Sequence, residues 1–312
     1  MAEEFSIVVP VYNRAGLICR CLDSIKAQTY RPLHLVVVDN ASTDETLRTV
    51  TKWGQENAGG QLRMSILEER QRGAAAARNC GLRAVTSDWL CFFDSDDAMR
   101  PDLAETAMRT FSVNPDADIV LWQSRLNTLS GSSRQLNWAA SNYMDNHIVH
   151  SVLRTQGYAV RRKFFNDAGA WNPAMLVWDD WELGVRLLLG YPRIVPVARV
   201  LADVYAQEQS ITGISFSPKA GEWELALKRA SECIADSDHP RKRHLLNMVD
   251  YRRVILAAHY RREGNAAAAQ TLLSRTYANT LATPFQRFIL SLCYRYTSLG
   301  GRGASYFAAP LL

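Results

Sequence analysis

Short apolar runs that alternate with stretches of helical spacing are the feature that most limits what this chain can fold into. The runs FSIVVPV, LHLVVVD, LRMSILE and WLCFFD are rich in β-branched and aromatic residues, and each is followed by turn residues and a helix-like segment. After LHLVVVD, Ser42 and Glu45 have the spacing of a capping box, which marks a helix start. The alternation predicts an α/β protein with an open, mostly parallel sheet flanked by helices.

The pattern becomes less regular in the second half of the chain. ADIVLWQS predicts a further strand, and WDDWELGVRLLLG predicts a helix after an irregular Ser/Asn-rich passage. The last part is rich in Ala, Leu and Arg, which predicts a C-terminal helical extension. We therefore expect three parts, which are two halves of one domain over residues 1–125 and 126–217, and a basic helical extension over residues 218–312.

Charge is distributed unevenly along the 312 residues. The formal net charge is +5, and residues 219–312 contain 14 Lys and Arg against 7 Asp and Glu. The excess of positive charge therefore lies at the C-terminal end, where it suggests an anionic surface or partner. A cluster of acids in the first half argues against nucleic acid as that partner.

Cysteine usage and the N-terminus bear on the compartment. The six cysteines form no C-x-x-C pair, and several lie in apolar patterns where a reduced thiol behaves as a small hydrophobe. The N-terminus has no basic region before its apolar run, and no stretch approaches the ~20 apolar residues of a membrane span. These features predict a cytoplasmic protein that contacts a membrane at most peripherally.

Three carboxylates close the fourth apolar run. Asp94, Asp96 and Asp97 directly follow WLCFF, and ligands of open parallel sheets bind beyond the carboxyl ends of the strands. Two carboxylates one residue apart suit Mg²⁺ or Mn²⁺ shared with substrate phosphates. Taken alone, such a pair more often caps a neighbouring helix, here the one expected from Pro101.

Polar residues at the other strand ends favour a nucleotide site over a simple cap. The first run ends in Tyr12 and Asn13, and the second ends in Asp39. Neither G-x-G-x-x-G nor G-x-x-x-x-G-K-[ST] follows the first strand, so a dinucleotide or P-loop site lacks its usual phosphate cradle. A metal ion is an alternative means of holding phosphate.

Five segments in one order resemble the family 2 glycosyltransferases of the GT-A fold. They are VVPVYNR, VVVDNASTDET, GAAAARNCGL, FFDSDDAMRPD and VWDDWELGVRLLLG, and the likeness covers about residues 5–212. The resemblance implies a nucleotide-sugar donor bound by the first half and an acceptor, a glycan or a lipid-linked molecule, bound by the second. It also implies inverting sugar transfer that depends on Mn²⁺ or Mg²⁺.

The resemblance assigns donor-binding roles to residues at the strand ends. Asp39 is expected to accept a hydrogen bond from the nucleobase, which suits the imide N–H of uracil or thymine and makes UDP the first choice, while GDP stays open. Asp96 is expected to be the principal metal ligand, with Asp94 near the ribose and metal. The other expected donor contacts are Pro10, Tyr12, Asn13, Arg78 and Ser95. Arg78 could instead be a solvated helix arginine.

A proton acceptor is also needed, and the segment VWDDWELGVR resembles the one that supplies it. Asp180 is expected to be the general base, beside Asp179. Trp178 and Trp181 flank the pair, and we expect them to give apolar walls and a platform for a sugar face of the acceptor. Both acids could also cap the helix that begins here, a role compatible with catalysis.

Two departures from the family pattern concern the metal and the base. Asp179 stands where a glutamate is usual, and VYAQEQSITG lacks the histidine that often approaches the diphosphate, so that Gln207 or Glu208 falls nearest its place. The pair His147 and His150 is expected on a helix surface rather than at a metal.

The C-terminal segment lies outside the resemblance. YRRVILAAHYRREGN and PFQRFILSLCYRY interleave Arg and Tyr with apolar residues, as helices on anionic membranes do, but also as helices that cap a catalytic domain. The alternative functions are a sugar nucleotidyltransferase and a non-catalytic nucleotide-sugar-binding or scaffold protein. The first lacks its Gly-rich, basic loop after the first strand.

Overall fold

The computed structural model describes residues 2–136, 142–207 and 215–312. These residues form two compact units, each built from separate stretches of chain. Among the described residues, unit 1 comprises 2–136, 153–176 and 190–207, and unit 2 comprises 142–152, 177–189 and 215–312. The functional division expected from the sequence, with boundaries near 125 and 217, stays a prediction.

Unit 1 contains a mixed β-sheet flanked by helices. In the described part of the chain, its strands are β1 (Phe5–Val11), β2 (Leu33–Asp39), β3 (Leu62–Glu68), β4 (Trp89–Phe92), β5 (Ala98–Met99), β6 (Ile119–Asn127), β7 (Ser133–Leu136), β8 (Tyr158–Arg161) and β9 (Ile194–Tyr205). Their order is β3-β2-β1-β4-β8-β6-β9-β5, with β7 on β6. Its helices are α1 (Ile18–Lys26), α2 (Thr46–Asn57), α3 (Ala74–Ala84), α4 (Leu103–Val113) and α6 (Arg162–Asp167).

The first four strands confirm the expected parallel sheet, and antiparallel pairing begins where β8 joins β4. β1 and β2 are buried along their whole lengths, as strands covered by helices on both faces are. The register places Val11 opposite Asp39, so the polar residues after β1 and β2 leave the sheet at the same edge.

Helix α3 packs closely on this parallel sheet because it carries Gly81 on its inner side. A Cβ at Gly81 would lie 2.4 Å from Cγ1 of Val8 on β1 and 3.1 Å from Cγ2 of Val38 on β2. The glycine therefore sets the depth at which α3 lies.

Unit 2 is helical and is organised around one long helix. Its helices are α5 (Tyr143–His150), α7 (Asp179–Leu189), α8 (Ala220–Asp236), α9 (Lys242–Arg262), α10 (Ala266–Asn279), α11 (Pro284–Ser298) and α12 (Ser305–Ala308). Helix α9 packs against α5, α8, α10 and α11. The expected C-terminal helical extension is thus confirmed, and α5 and α7 join it in one unit.

Two local predictions are wrong. Helix α2 begins at Thr46, and the Ser42 hydroxyl accepts the backbone N–H of Asn13 instead of capping the helix. His147 does not lie on a helix surface. It is completely buried, with Nε2 2.9 Å from the carbonyl oxygen of Trp181.

No helix within residues 2–136, 142–207 and 215–312 is long and apolar enough to cross a membrane. All six cysteines are free thiols, and Cys21, Cys91 and Cys293 are buried, as expected of small apolar side chains.

Candidate active site

The loops after β1 and β2 are tied together at the carboxyl edge of the sheet. Asn13 has a positive φ of 49°, its N–H donates to the hydroxyl of Ser42 (3.0 Å), and its side-chain oxygen accepts the N–H of Thr43 (2.8 Å). Tyr12 projects beside this turn with 41% of its surface exposed, and the expected nucleoside contact Pro10 pairs with Val38 on β2. The edge therefore presents an exposed aromatic ring above a fixed loop.

Asp39 lies at the end of β2 and is almost completely buried. Its Oδ2 accepts the backbone N–H of Ser42 at 3.0 Å, whereas its Oδ1 is buried and has no hydrogen-bond partner among the described residues. A buried carboxylate oxygen without a donor is costly in a folded protein. The atom is therefore suited to receive an N–H from a ligand.

The loop that leads into α3 is fixed from β2. Asn40 donates to the carbonyl oxygens of Glu69 (2.8 Å) and Gln71 (2.7 Å), and its side-chain oxygen accepts the N–H of Gly73 (2.8 Å). Gly73 has a φ of 123°, a conformation that favours glycine. This arrangement sets the start of the helix that carries Arg78.

Arg78 is a buried side chain, so the alternative of a solvated helix arginine is wrong. Its guanidinium donates to Oδ1 of Asp94 at 2.7 Å and lies 4.3 Å from the ring centroid of Trp171. The ring and the carboxylate hold the cation at the carboxyl end of β4.

The three acids after β4 differ in their surroundings. Asp97 is buried, and it accepts the N–H of Tyr205 (2.9 Å) and the amide of Gln156 (2.5 Å), which also donates to Asp94. Burial and the charges of Asp94 and Asp96 raise the pKa of Asp97 well above its usual value. Asp97 thus supports the loop from within and does not cap α4, which begins only at Leu103.

Two arginines that sequence reasoning missed also contact this loop. Nε of Arg14 lies 3.7 Å from Oδ2 of Asp96, and Arg20 donates to the backbone oxygen of Asp96. The guanidinium of Arg20 also lies 3.8 Å from the ring centroid of Tyr205. Arg14 could have been found from the sequence, because it directly follows the Tyr12–Asn13 turn.

The donor set around Asp96 fits a hard divalent cation. Burial and the charge of Asp94 raise the pKa of Asp96, so two carboxylates oppose each other here and a cation would relieve the repulsion. The intervening Ser95 is buried. Within the described ranges no group of three or more His, Cys, Asp or Glu side chains is arranged to hold an ion. Two carboxylates would therefore need oxygen atoms of substrate or water to complete the coordination.

The position expected for the missing histidine is only partly described. Gln207 donates weakly to the carbonyl oxygen of Tyr205, at 3.3 Å, and Glu208 lies outside the described residues.

The expected catalytic acids lie in unit 2, in the first turn of α7. Asp179 and Asp180 are the first two residues of the helix, and the N–H of Glu182 donates to the carbonyl oxygen of Trp178 at 2.9 Å. The helix macrodipole stabilises negative charge at this end. Trp178 itself has a positive φ of 51°, which is unusual for a bulky residue.

Aromatic side chains gather around the start of α7. Trp178 lies 4.9 Å from Trp223 and 5.7 Å from Trp181, measured between ring centroids. Trp181 is completely buried, and its indole N–H donates to the carbonyl oxygen of Ile148. The expectation that Trp181 offers a face to a sugar is therefore wrong, because no part of it is accessible. Trp178 is half-buried and keeps some accessible surface.

Arg252 from α9 completes this cluster and was also missed. Its guanidinium carbon lies 4.2 Å from the ring centroid of Trp178 and 4.7 Å from that of Trp181, and it donates to the carbonyl oxygen of Ile148 at 2.9 Å. Burial lowers the pKa of Arg252 to about 10, against the opposing attraction of Asp180. A positive charge therefore lies within electrostatic reach of Asp180.

Glu182 and Arg186 form an i,i+4 ion pair along α7. The contact is bidentate, with both N···O distances 2.8 Å, and Glu182 is almost completely buried. The two side chains satisfy each other, so the pair supports the helix rather than a ligand.

Comparison with known proteins agrees with this fold. The profile of "Glycosyl transferase family 2" matches residues 6–166. A "PGL/p-HBAD biosynthesis glycosyltransferase" of Mycobacterium bovis is 28% identical over 215 residues, which is 69% of this chain and 80% of that protein. The uncharacterised glycosyltransferase YwdF of Bacillus subtilis is 26% identical over 263 residues, 79% of this chain and 95% of that protein.

Solved structures show the same architecture. S. aureus TarS 1–349 in complex with UDP has a TM-score of 0.67 at 17% identity and covers 97% of this chain and 91% of its own. The mannosyltransferase PcManGT of Pyrobaculum calidifontis, in complex with GDP-Man and Mn²⁺, has a TM-score of 0.58 at 19% identity, covering 100% and 87%. The sheet with its flanking helices is therefore that of the GT-A glycosyltransferases. The chain belongs to glycosyl transferase family 2, and it is a transferase.

Proposed function

We propose that the protein moves a sugar from a nucleotide-sugar, with UDP as the preferred nucleotide, to a hydroxyl of a glycan or lipid-linked acceptor with inversion at the anomeric carbon. The observation that carries the donor assignment is Oδ1 of Asp39, which is buried and has no hydrogen-bond partner in the part of the chain that the structure describes. It is an acceptor, and the imide N–H of uracil is a donor that fits it. TarS, one of the similar structures, was solved with UDP and with UDP-GlcNAc, which supports the choice, and the GDP-Man complex of PcManGT keeps GDP as the second candidate.

The remaining donor contacts follow from the same edge of unit 1. We assign the ring of Tyr12 and the Pro10–Asn13 loop to the nucleoside, and Arg78 to the orientation of Asp94 toward the ribose. Asp96 and Asp94 would hold Mn²⁺ or Mg²⁺, which when bound stabilises the negative charge of the departing diphosphate. Arg14, beside Asp96, adds a positive charge at the same place.

Asp180 is proposed as the general base. It would take the proton of the acceptor hydroxyl while that oxygen bonds to the anomeric carbon and the bond from this carbon to the diphosphate oxygen breaks. The cation of Arg252 attracts the carboxylate of Asp180 and is buried beside the start of the same helix. Asp179 would orient the acceptor, and Trp178 would pack on a sugar face of the acceptor, with Trp181 supporting it from beneath. We place the reaction in the cytoplasm, peripherally at a membrane when the acceptor is lipid-linked.

Thermal unfolding with nucleotides tests the donor assignment. UDP, dTDP and GDP are each added with Mn²⁺ or with a chelator, and a stabilisation that is largest with UDP and depends on Mn²⁺ is expected. No metal-dependent shift with any of the three would contradict the proposal. Hydrolysis of a panel of UDP-sugars then identifies the sugar.

The base is tested by Asp180→Asn, with Asp236→Asn at an exposed position of α8 as the control. Turnover of the Asp180 variant should fall by about 10²–10⁴-fold with nucleotide binding unchanged, because only proton transfer is lost. Full turnover would show that Asp180 is not the base.

A further inference from the structure

The C-terminal segment exposes apolar side chains along one side of α11 and at the residue that directly follows the helix, Leu299. Five of them form what we call the exposed apolar stripe. The members and their exposed fractions are Phe285 (58%), Phe288 (58%), Leu292 (39%), Tyr296 (44%) and Leu299 (90%). Steps of three or four residues keep them on one side of the helix, whereas Ile289, Leu290 and Cys293 on the other side are buried toward α9.

The stripe is a group of exposed apolar residues rather than a single one. Single exposed apolar residues are ordinary, but contiguous ones mark an interaction site. Leu281, three residues before the helix, is 51% exposed, and Tyr306 in the following helix α12 is 86% exposed. The hydroxyl of Tyr296 donates to the carbonyl oxygen of Arg302 at 3.0 Å, so the turn after α11 is held against the end of the stripe.

The charge around the stripe has one sign. From Gly264 to Leu312 the sequence contains four arginines and no Asp or Glu. Arg295 lies three residues after Leu292 and seven after Phe288, and it is exposed, as is Arg302. Within the described residues neither of these two arginines has an acidic side chain at ion-pair distance. An apolar stripe bordered by unopposed positive charge complements a bilayer that contains anionic lipids.

The two basic segments near the C-terminus differ in whether their apolar side chains are accessible. YRRVILAAHYRREGN forms much of α9, where Val254, Leu256 and Tyr260 are buried inside unit 2. Of the two alternatives for this segment, packing against the rest of the protein is therefore the one that its buried apolar residues support. Only PFQRFILSLCYRY keeps an accessible apolar side.

We propose that the exposed apolar stripe of α11, with Arg295 and Arg302, docks on an anionic lipid bilayer. The aromatic and leucine side chains enter the headgroup region, and the two arginines contact lipid phosphates. The docking itself depends only on unit 2. Its use, to bring the enzyme to a lipid-linked acceptor, rests on the proposed function.

Vesicle flotation with the full chain tests the docking. Wild type is expected to float with phosphatidylcholine vesicles that contain phosphatidylglycerol, and about tenfold or more weakly with phosphatidylcholine alone, because each arginine near the surface adds attraction. Phe285→Ser combined with Phe288→Ser should abolish flotation. Val113→Ser, an exposed apolar residue of α4, is the matched control and should leave it unchanged.

Charge and self-association are separated by two further measurements. Arg295→Glu combined with Arg302→Glu should remove the preference for phosphatidylglycerol. Failure of wild type to float, or flotation of the Phe285/Phe288 variant at the wild-type level, would overturn the proposal. So would a wild-type dimer that becomes monomeric in that variant by sedimentation, because the stripe would then bind a second copy.

The flotation result is separated from the donor site by a second measurement. The UDP and Mn²⁺ thermal shift is measured on the same variants and is expected to stay at the wild-type value, which also shows that they fold. Flotation without any UDP-dependent thermal shift would support the docking and contradict the proposed function. A UDP-dependent shift without flotation would support the proposed function and contradict the docking.

Discussion

The guanidinium carbon of Arg252 lies 4.2 Å from the ring centroid of Trp178, the residue directly before the two acids of α7. Helix α9 thus supplies a cation to the start of α7 from 74 positions further along the chain. The contact ties the C-terminal helices to the segment expected to carry the base.

Replacement of Arg252 should weaken unit 2. Arg252→Met removes the contacts with two indole rings and the hydrogen bond to Ile148, so the free energy of unfolding should fall by about 2 kcal/mol. Denaturant unfolding measures the change. Arg229→Met on α8, an exposed arginine paired with Glu232, is the control and should cost less than about 0.5 kcal/mol. Equal losses in the two variants would contradict the structural role of Arg252.

Asp39→Asn should weaken nucleotide binding. In the variant, an amide NH₂ group or a weaker amide oxygen takes the place of the carboxylate oxygen Oδ1, which we expect to accept the N–H of the base. The affinity for UDP should therefore fall about ten- to hundredfold. Titration calorimetry measures the affinity, with the exposed Asp88→Asn as control. Unchanged UDP affinity in the Asp39 variant would remove this residue from the donor site.

Gln156 should prove essential for the loop after β4. Gln156→Leu removes the amide that bridges Asp94 and Asp97 and should lower the free energy of unfolding by about 2 kcal/mol. Gln156→Glu adds a further carboxylate at that place and should cost more. The exposed Gln55→Leu serves as control for both. A Glu variant more stable than the Leu variant would show that the acids do not repel each other as inferred.

Gly81→Ala should displace α3 from the sheet. The added methyl would meet Val8 at 2.4 Å, and overpacking of this kind costs about 1–3 kcal/mol. Because α3 also carries Arg78, UDP affinity should fall together with stability. Gly16→Ala, whose Cβ would meet nothing within 4 Å, should change neither quantity. A neutral Gly81 variant would mean that the helix moves at no cost.

Acid should destabilise unit 1 through His34. Burial and the charge of Arg63 lower the pKa of His34 to about 4, with Glu4 acting in the opposite sense. An unfolded histidine titrates near 6.5, so the unfolded chain binds more protons between these values. The free energy of unfolding should therefore fall by up to about 3 kcal/mol as the pH is lowered from about 6.5 to about 4. Denaturant unfolding across this range measures the slope, which His34→Gln should flatten; an equal slope in the variant would assign the effect to other groups.

The sequence predicted the features that depend on local pattern. Apolar runs marked the strands, and the acids at their ends pointed to Asp39, Asp94 and Asp96 because parallel strands share one carboxyl edge. Contacts between distant residues could not be read in this way. Gln156 lies 62 positions from Asp94, and nothing near Gln156 in the sequence indicates an acidic partner.

The wrong predictions have the same origin. Ser42 has the spacing of a cap, but its hydroxyl is taken by Asn13 from another loop. His147 looks like a surface residue, yet Gly184 leaves room for its ring, since a Cβ there would lie 2.3 Å from the imidazole. In each case a tertiary contact decided between two arrangements that local sequence permits equally.

Unit 2 is built from separate stretches of the chain, and this limits how the gene can be shortened. Helices α5 and α7 come from the middle of the chain and pack against α8 and α9 from its end. A truncation near residue 217 would remove α8 and α9, against which α7 and α5 pack. Trp181 and Ile148 would then be exposed, and the first turn of α7 would lose its packing. The last hundred residues therefore cannot be treated as a detachable accessory, and any minimal enzyme derived from this chain has to retain them.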